Sequence, residues 1–418
     1  MKPLPQRNGG CVEELINAMD KALDEMNRNP GKTVRLFHHN DADGLTSAAI
    51  LTRALERKGR TVRRCALEKP YPAVLKRIFD REGEDIVFAD FAGRIAPLIS
   101  GLNRGRNLVL ILDHHVASPA TDPQVHNLDP DLYGLKGDLD ISASVTCYLF
   151  AKRMDEGNAD LSALAALGAV GDEFFLEGKL AGENRRAVLE AAARGEVRIE
   201  EGKTGETYHF RTPRGESEGS SLAEYIETLG AVGYYREGPE AGVAVCLQGP
   251  TAASDRMYGE LKDLKEERFR REIGRLKAGD LHRTDHIQWF HVEDRFAPMG
   301  VKMVGAFCDV IRNMDFIDPG RYLAGFQRLP DFIPGFGLVG MEDVKVSMRV
   351  SGWIEGQIRG KTAMGLNRLL PEATAAVGGF SDACHSLTAA TTVEEGKEKL
   401  LIAEMEKILA AFSGHTGK

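Results

Sequence analysis

The stretch "TVRLFHHNDADGLTSAAIL", residues 33–51, decides how the chain is read. It opens on an apolar run of strand length, "TVRLF". It closes on "LTSAAIL", whose small and aliphatic residues suit one face of a packing helix. Between them, "HHNDADG" puts two histidines, two aspartates and a glycine into seven residues. A strand that enters a helix through a short turn is half of a βαβ unit. The polar groups therefore collect where the strand ends.

The pattern recurs on both sides of this stretch. Residues 12–30 read as an amphipathic helix closed by Pro30 and Gly31. After "GLTSAAILTRALERKG", a helix, come the apolar run "DIVFADF", the helix "RIAPLISGLN" and the run "NLVLILDHH". Alternating elements with continuous apolar strands imply an α/β fold, with a parallel sheet covered on both faces. Residues 140–195 are Ala-rich and read as helical, and 196–212 as an inserted β-hairpin. Residues 251–278 carry dense charge with apolar residues at helical spacing, the pattern of a long exposed helix between domains. "HIQWFHVE", "VKVSMRVSGWIE" and "GLNRLL" begin a second strand and helix set, and a final helix is expected near 393–413. The expected organisation is a catalytic domain over 1–250, a linker helix over 251–280 and a smaller α/β domain over 281–418.

Composition narrows the class. The chain has 418 residues, 43% apolar and 28% charged, as in soluble globular proteins. No apolar run approaches the roughly 18 residues of a membrane span. The N-terminus, "MKPLPQRNGG", lacks an apolar h-region, so the expectation is a cytoplasmic protein with no secretory signal and no membrane contact. Six cysteines without CxxC spacing point to free thiols in a reducing compartment. A net charge of −8 means that any nucleic-acid surface must be local.

Three strands end in acidic or imidazole groups: "HHNDADG" with His39, Asp41 and Asp43, "FADFAG" with Asp90, and "LDHH" with Asp113, His114 and His115. "GAVGD" adds Asp172. An Asp–Gly pair after a strand is often only a turn. Four such clusters in order are more specific, because open α/β sheets bind ligands at the carboxyl ends of their strands. Carboxylates gathered there would repel and raise one another's pKa, and divalent cations remove that penalty. The four charges of Asp41, Asp43, Asp90 and Asp172 match two such ions, with His39 and His114 completing a mixed nitrogen and oxygen set. That set suits Mn²⁺, Fe²⁺ or Co²⁺ better than Mg²⁺, and the expected cofactor is two Mn²⁺ ions, with Mg²⁺ or Co²⁺ as alternatives. Two ions about 3.5–4 Å apart can activate a water and stabilise both oxygens of an in-line displacement at phosphorus.

"HNDADG", "ADFAG", "LDHH" and the later "GD" resemble motifs I to IV of the DHH phosphoesterase superfamily, and "HNLDP…DLDISASVTCYLF" resembles the segment that follows its third motif. The C-terminal part resembles the DHHA1 domain, through "VKVSMRVSG" and a glycine pair before a final helix. The resemblance implies one metal held by His39, Asp41 and Asp90. It implies a second held by Asp43, Asp90, His114 and Asp172, with Asp90 bridging. His115 would face the phosphate and Asp113 would orient an imidazole. In the second domain it implies substrate contacts from Gly378, Gly379, His385 and Arg349, although Phe380 stands where the family's "GGH" loop has its histidine.

These readings lead to an expected RecJ-like exonuclease of single-stranded DNA or RNA working with two Mn²⁺ ions, with replication or repair proteins as partners. Phe380, Trp289 and Trp353 are candidates for base stacking, and the basic run Arg53 to Arg64 for a phosphate path. The cluster His282, Asp285, His286 and His291 reads as no metal site. One alternative is a small-substrate phosphatase or oligoribonuclease acting on short oligonucleotides, cyclic dinucleotides or phosphoadenosine phosphate. Another is a nuclease-derived scaffold similar to Cdc45. His38 is expected to point to the other side of its strand.

Overall fold

The computed structural model describes residues 10–29, 33–173 and 175–416, so the expected stop at Pro30 and Gly31 lies outside the described residues. The chain forms two compact units. The first comprises Met1–Gly230 with Glu237–Tyr258, the second Ala231–Arg236 with Gly259–Lys418.

The first unit is built on strands β1 (Thr33–His38), β2 (Thr61–Ala66), β3 (Asp85–Ala89), β4 (Leu108–Leu112) and β5 (Val125–Asn127). They pair in parallel in the order β2-β1-β3-β4-β5. Helices α1 (Gly10–Arg28), α2 (Ala42–Arg57), α3 (Pro72–Ile78) and α4 (Ala96–Asn103) alternate with these strands. Every residue of β3 and β4 is buried, which is why those runs are continuously apolar, apart from Asp85 at the start of β3, rather than alternating. The strand order reverses direction at β1 and β3, where open sheets of this kind bind ligands. The register sets His38 opposite Ala89 and Ala89 opposite Leu112. The next residue of each strand, His39, Asp90 and Asp113, therefore comes level at the carboxyl edge. The ladder continues one step further, with His39 N–H donating to Ala89 O (3.1 Å) and Asp90 N–H to Leu112 O (2.9 Å).

Helices α5 (Ala143–Met154) and α6 (Ser162–Gly171) pack against α2. The Ala-rich region is not helical to its end. A short hairpin, β6 (Phe175–Leu176) and β7 (Lys179–Leu180), separates α6 from α7 (Gly182–Ala193). The insertion also exceeds a hairpin: β8 (Val197–Glu201) and β9 (Glu206–Thr212) are joined by a third antiparallel strand, β10 (Gly215–Glu218). Helices α8 (Gly219–Glu227) and α9 (Gly238–Gln248) complete this unit. The long helix α10 (Ala252–Arg275) follows, and the division between units falls inside it, at Gly259.

The second unit holds a six-stranded mixed sheet in the order β11-β12-β13-β16-β18-β17. Its strands are β11 (His282–Arg283), β12 (Ile287–His291), β13 (Tyr322–Arg328), β16 (Asp343–Arg349), β17 (Phe380–Cys384) and β18 (Thr388–Glu394), with a small hairpin of β14 (Phe332–Ile333) and β15 (Gly337–Leu338) between β13 and β16. Its helices are α11 (Met303–Ile311), α12 (Gly352–Arg359), α13 (Leu366–Ala376) and α14 (Glu398–Thr416). Val344, Val346 and Met348 of β16 meet Leu369 and Leu370 of α13 and Leu401 and Met405 of α14 in one apolar core. The glycine pair thus leads into edge strand β17 and not directly into the last helix. Among the described residues, no helix is long and apolar enough to cross a membrane.

Glu406 ties α14 to the turn before β12. Its carboxylate accepts from Thr284 Oγ1 (2.5 Å), His286 N–H (2.9 Å) and Ile287 N–H (3.1 Å), and pairs with His286 Nδ1 at 2.7 Å. Burial opposes its ionisation, but the bonds from Thr284 and His286 outweigh it and hold the carboxyl below its ordinary range. A carboxylate shifted down stabilises the fold above its unfolded pKa and loses that contribution as pH falls through its folded value. Glu406→Gln is expected to cost about 1–3 kcal/mol at pH 7, and the deficit to shrink as pH falls below about 4. Both tryptophans, Trp289 and Trp353, lie in this unit. Urea titrations followed by their fluorescence check both parts.

Candidate metal centre

Asp41 lies in the turn after β1 and caps α2, its Oδ1 accepting from Gly44 N–H at 2.9 Å. A β-carbon at position 44 would run into the His39 backbone, so glycine is required by close approach. The other Asp41 oxygen faces His39 Nδ1 at 2.6 Å. Asp90 is 3% exposed and adopts the left-handed conformation, φ 65°, an uncommon one for a residue other than glycine. That turn aims its two oxygens at two imidazoles: Oδ2 lies 3.3 Å from His39 Nδ1, and Oδ1 lies 3.3 Å from His114 Nε2. His114 Nδ1 meets the Gly137 carbonyl at 2.8 Å, which sets the tautomer and directs Nε2 at Asp90 and, at 3.6 Å, Asp172. Asp172 is the C-terminal cap of α6.

Asp43 is fully buried at the N-terminus of α5. Its oxygens accept from Ala143 N–H (2.8 Å) and Ser144 N–H (3.1 Å). Unpaired amides at a helix start favour an anion. A β-carbon on Gly168 of α6 would meet Asp43 Oδ1, Ser144 Oγ and Thr46 Oγ1, so this glycine lets α6 close over the carboxylate.

Behind the strand edge, Asp113 Oδ1 holds His115 Nδ1 at 2.7 Å and accepts His114 N–H at 2.8 Å, while Oδ2 accepts Gly93 N–H at 2.8 Å. Burial opposes its charge, but His115 and these bonds hold Asp113 below the ordinary carboxylate range. Asp129, from "HNLDP", is buried beside it and raised well above that range by burial and by Asp113. His38 is fully buried, with Nδ1 on His39 O at 2.8 Å, and burial lowers its pKa to about 4.

Among the described residues, three donor sets have ligand atoms within 4.8 Å of one another: His39, Asp41 and Asp90; Asp43, His114 and Asp172; and Asp90, Asp113, His114 and His115. Their electrostatics show what the cluster lacks by itself. Burial and Asp90 push Asp43 up to about 6, and burial with Asp43 and Asp41 pushes Asp172 well up. Burial disfavours the charged form of His39, yet Asp41 and Asp90 raise it to about 10. The carboxylates thus draw in positive charge, and the mixed donors fit divalent cations that take both imidazole and carboxylate.

The residues expected in the second domain do not converge. Arg349 ends β16, its Nε 2.8 and 2.9 Å from the Asp309 carboxylate, and is level with Thr388 and the turn holding His385. Gly378 and Gly379 lie at the other end of that sheet, next to Phe380, which pairs with Thr392. Gly379 comes level with Val344, five residues and about 17 Å of strand from Arg349. The amides of Gly378 and Gly379 donate to Ala375 O (3.1 Å) and Thr374 O (2.9 Å), closing α13. The pair is therefore a helix terminus whose own N–H groups are spent, not an anion cradle. In the basic run, Arg57, Lys58, Arg60 and Arg64 are paired with Asp160, Asp155, Asp85 and Glu240. His286 and His291 pair with Glu406 and Glu398.

Residues 33–171 match the DHH family, N-terminal domain. An uncharacterized protein of Methanocaldococcus jannaschii is 30% identical over 183 residues, 42% of this chain and 40% of that protein. RecJ from Thermus thermophilus, solved in complex with Mn²⁺, shares the fold with TM-score 0.59 and 18% identity over 98% of this chain and 55% of that one. The DHH domain of a member of the s1p family of ribosomal proteins aligns with TM-score 0.62 and 16% identity, over 96% and 92% of the two chains. CDC45 from Entamoeba histolytica aligns with TM-score 0.52 and 11% identity, over 96% and 99%. The fold is RecJ-like, a DHH domain with a smaller α/β domain.

Two outcomes check the centre. Mn²⁺ at 100 times its Kd is expected to stabilise the first unit by about 2.7 kcal/mol, seen as a raised melting temperature in calorimetry, and Asp90→Ala to abolish the rise. Gly168→Ala is expected to cost about 1–3 kcal/mol by overpacking and to weaken Mn²⁺ binding in titration calorimetry.

Proposed function

We propose that the protein is a divalent-metal-dependent phosphodiesterase that hydrolyses single-stranded nucleic acid, a RecJ-like exonuclease working with Mn²⁺. The observation that carries this reading is Asp90, a buried carboxylate whose two oxygens face His39 and His114 from two neighbouring donor sets. His39, Asp41 and Asp90 would hold one ion, and Asp43, Asp90, His114 and Asp172 the other. Bound ions would supply Lewis-acid stabilisation of the phosphoryl oxygens and a more acidic water.

The protein's own groups do the remaining work. Asp113 engages His115 at Nδ1 and so presents the other ring nitrogen. In this reading that nitrogen donates to a phosphate oxygen or to the leaving group. Gly137 O and the amides of Ala143 and Ser144 keep His114 and Asp43 from turning away. Preorganised donors of this kind cost no rearrangement when charge develops.

End-labelled single strands of DNA and RNA, and separately a dinucleotide, are the test substrates. With Mn²⁺ the wild type is expected to shorten the strands progressively, and Asp90→Ala to lose at least about 1000-fold in rate. Cleavage of the dinucleotide alone would favour the small-substrate reading. No turnover of any phosphodiester, with wild type equal to Asp90→Ala, would sink the enzymatic one. His115→Asn is expected to lower kcat by about 100-fold or more while leaving the Mn²⁺-induced rise in melting temperature in place.

A further inference from the structure

We propose that Phe175 is a stacking platform for one nucleobase of the substrate, beside the phosphodiester that is cut. This inference rests on the phosphodiesterase reading above and deepens it, because it requires a substrate that carries bases.

Phe175 follows the candidate ligand Asp172 by three residues, so at most about 11 Å of chain separates their α-carbons. Phe175 is 38% exposed, and Leu176 beside it is 46% exposed. Behind Phe175 lies Tyr208 of β9, its ring nearly parallel at 10° and its centroid 6.3 Å away. Tyr208 is itself buried. An aromatic ring backed by a second ring, with one part open to solvent, is a surface on which a base can stack.

The platform is also held rigid. Leu180 N–H, opposite Phe175 in the hairpin, donates to Tyr208 Oη at 2.9 Å. Tyr208 in turn donates to Glu206 at 2.8 Å. The Glu206 side chain is 2% exposed and pairs with Lys179 at 3.1 Å and with Arg185. Glu206 N–H donates to Gly178 O at the hairpin turn, 2.8 Å. The inserted sheet of β8, β9 and β10 thus clamps the β6–β7 hairpin from behind. A hydrophobic pair fixed in this way loses little entropy when a ligand covers it.

The size of the patch selects the occupant. Among the described residues of this turn, the partly exposed apolar side chains are Phe175 and Leu176, which fall far short of the roughly 800 Å² per partner of a stable protein interface. Glu173 and Glu177 are exposed and add charge, not apolar area. A single base needs one ring face, and every base has one, so the contact carries no sequence preference.

The test compares wild type, Phe175→Ala and Phe175→Trp as full chains. The strands carry an intact or an abasic nucleotide at each position near the labelled end. Phe175→Ala is expected to lose about tenfold in kcat/KM on the intact strand, to lose nothing on the strand abasic at the stacked position, and to be rescued by Phe175→Trp. A second readout does not need turnover. In the Asp90→Ala background, 2-aminopurine placed along the strand is expected to be quenched on binding at one position, and Phe175→Ala to remove that quench. Equal loss on intact and abasic strands, or a quench that survives Phe175→Ala, would overturn the proposal. If wild type cuts no phosphodiester, the enzymatic reading fails. A quench abolished by Phe175→Ala still supports the platform in that case. A melting temperature for Phe175→Trp equal to wild type shows that the hairpin is intact.

Discussion

Asp90 is the constraint around which the first unit is arranged. It is a carboxylate with almost no contact with water, at the carboxyl edge of a parallel sheet and near three others. Two like charges 4 Å apart repel by about 4 kcal/mol even at an effective dielectric constant of 20. The chain meets this repulsion from several directions. The first turn of α2 is capped by Asp41, the first amides of α5 close on Asp43, and His39 and His114 approach Asp90 from opposite oxygens. None of these is enough alone: burial, and then the neighbouring carboxylates, still hold Asp43 and Asp172 above the ordinary carboxylate range.

A second layer keeps this arrangement in register. Asp113 serves three donors at once, the amides of Gly93 and His114 and the ring of His115. It therefore links the end of β4 to the turn after β3. Asp129 sits against it, pushed toward its neutral form by burial and by Asp113's charge. A carboxyl held toward its neutral form adds less to the repulsion at the strand edge than one held charged would. The residues that orient the centre are thus as buried as those that face it.

What could be read from the sequence followed from periodicity and from strand ends. Continuous apolar runs gave β1, β3 and β4, and the polar residues just after them lie at one edge because a parallel register brings strand ends level. The supporting contacts were harder to read. The Gly137 carbonyl and the amides of Ala143 and Ser144 have no side-chain signature, although Ser142 before "ASVT" is a recognisable N-cap. Gly168 looked like one more small residue in an Ala-rich helix, because its role depends on what packs against it. The β6–β7 hairpin was missed because two-residue strands carry no period. The glycine pair misled for a related reason: Gly-Gly suits an anion cradle and a helix terminus alike, and only the hydrogen bonds of Gly378 and Gly379 to α13 distinguish them.

These features bear on how a chain of net charge −8 could hold a polyanion. Binding that relies on a broad basic surface releases many counterions and weakens steeply with salt. The most basic run of the first unit offers little of that kind, since Arg57, Lys58, Arg60 and Arg64 already face carboxylates of the same unit. Arg349, the basic residue singled out in the second, faces Asp309. Under the proposed function, affinity must then come from a few concentrated contacts: cations at the acidic edge for the phosphate, and an aromatic ring for the base. Such a design would bind a strand by its end or by a short segment, because the donor sets among the described residues gather at one place. It also explains why the acidic cluster and the overall negative charge are compatible with a nucleic-acid substrate. Repulsion from the rest of the surface would discourage binding along the length of a strand, while the loaded centre would attract only the phosphate that it can cut.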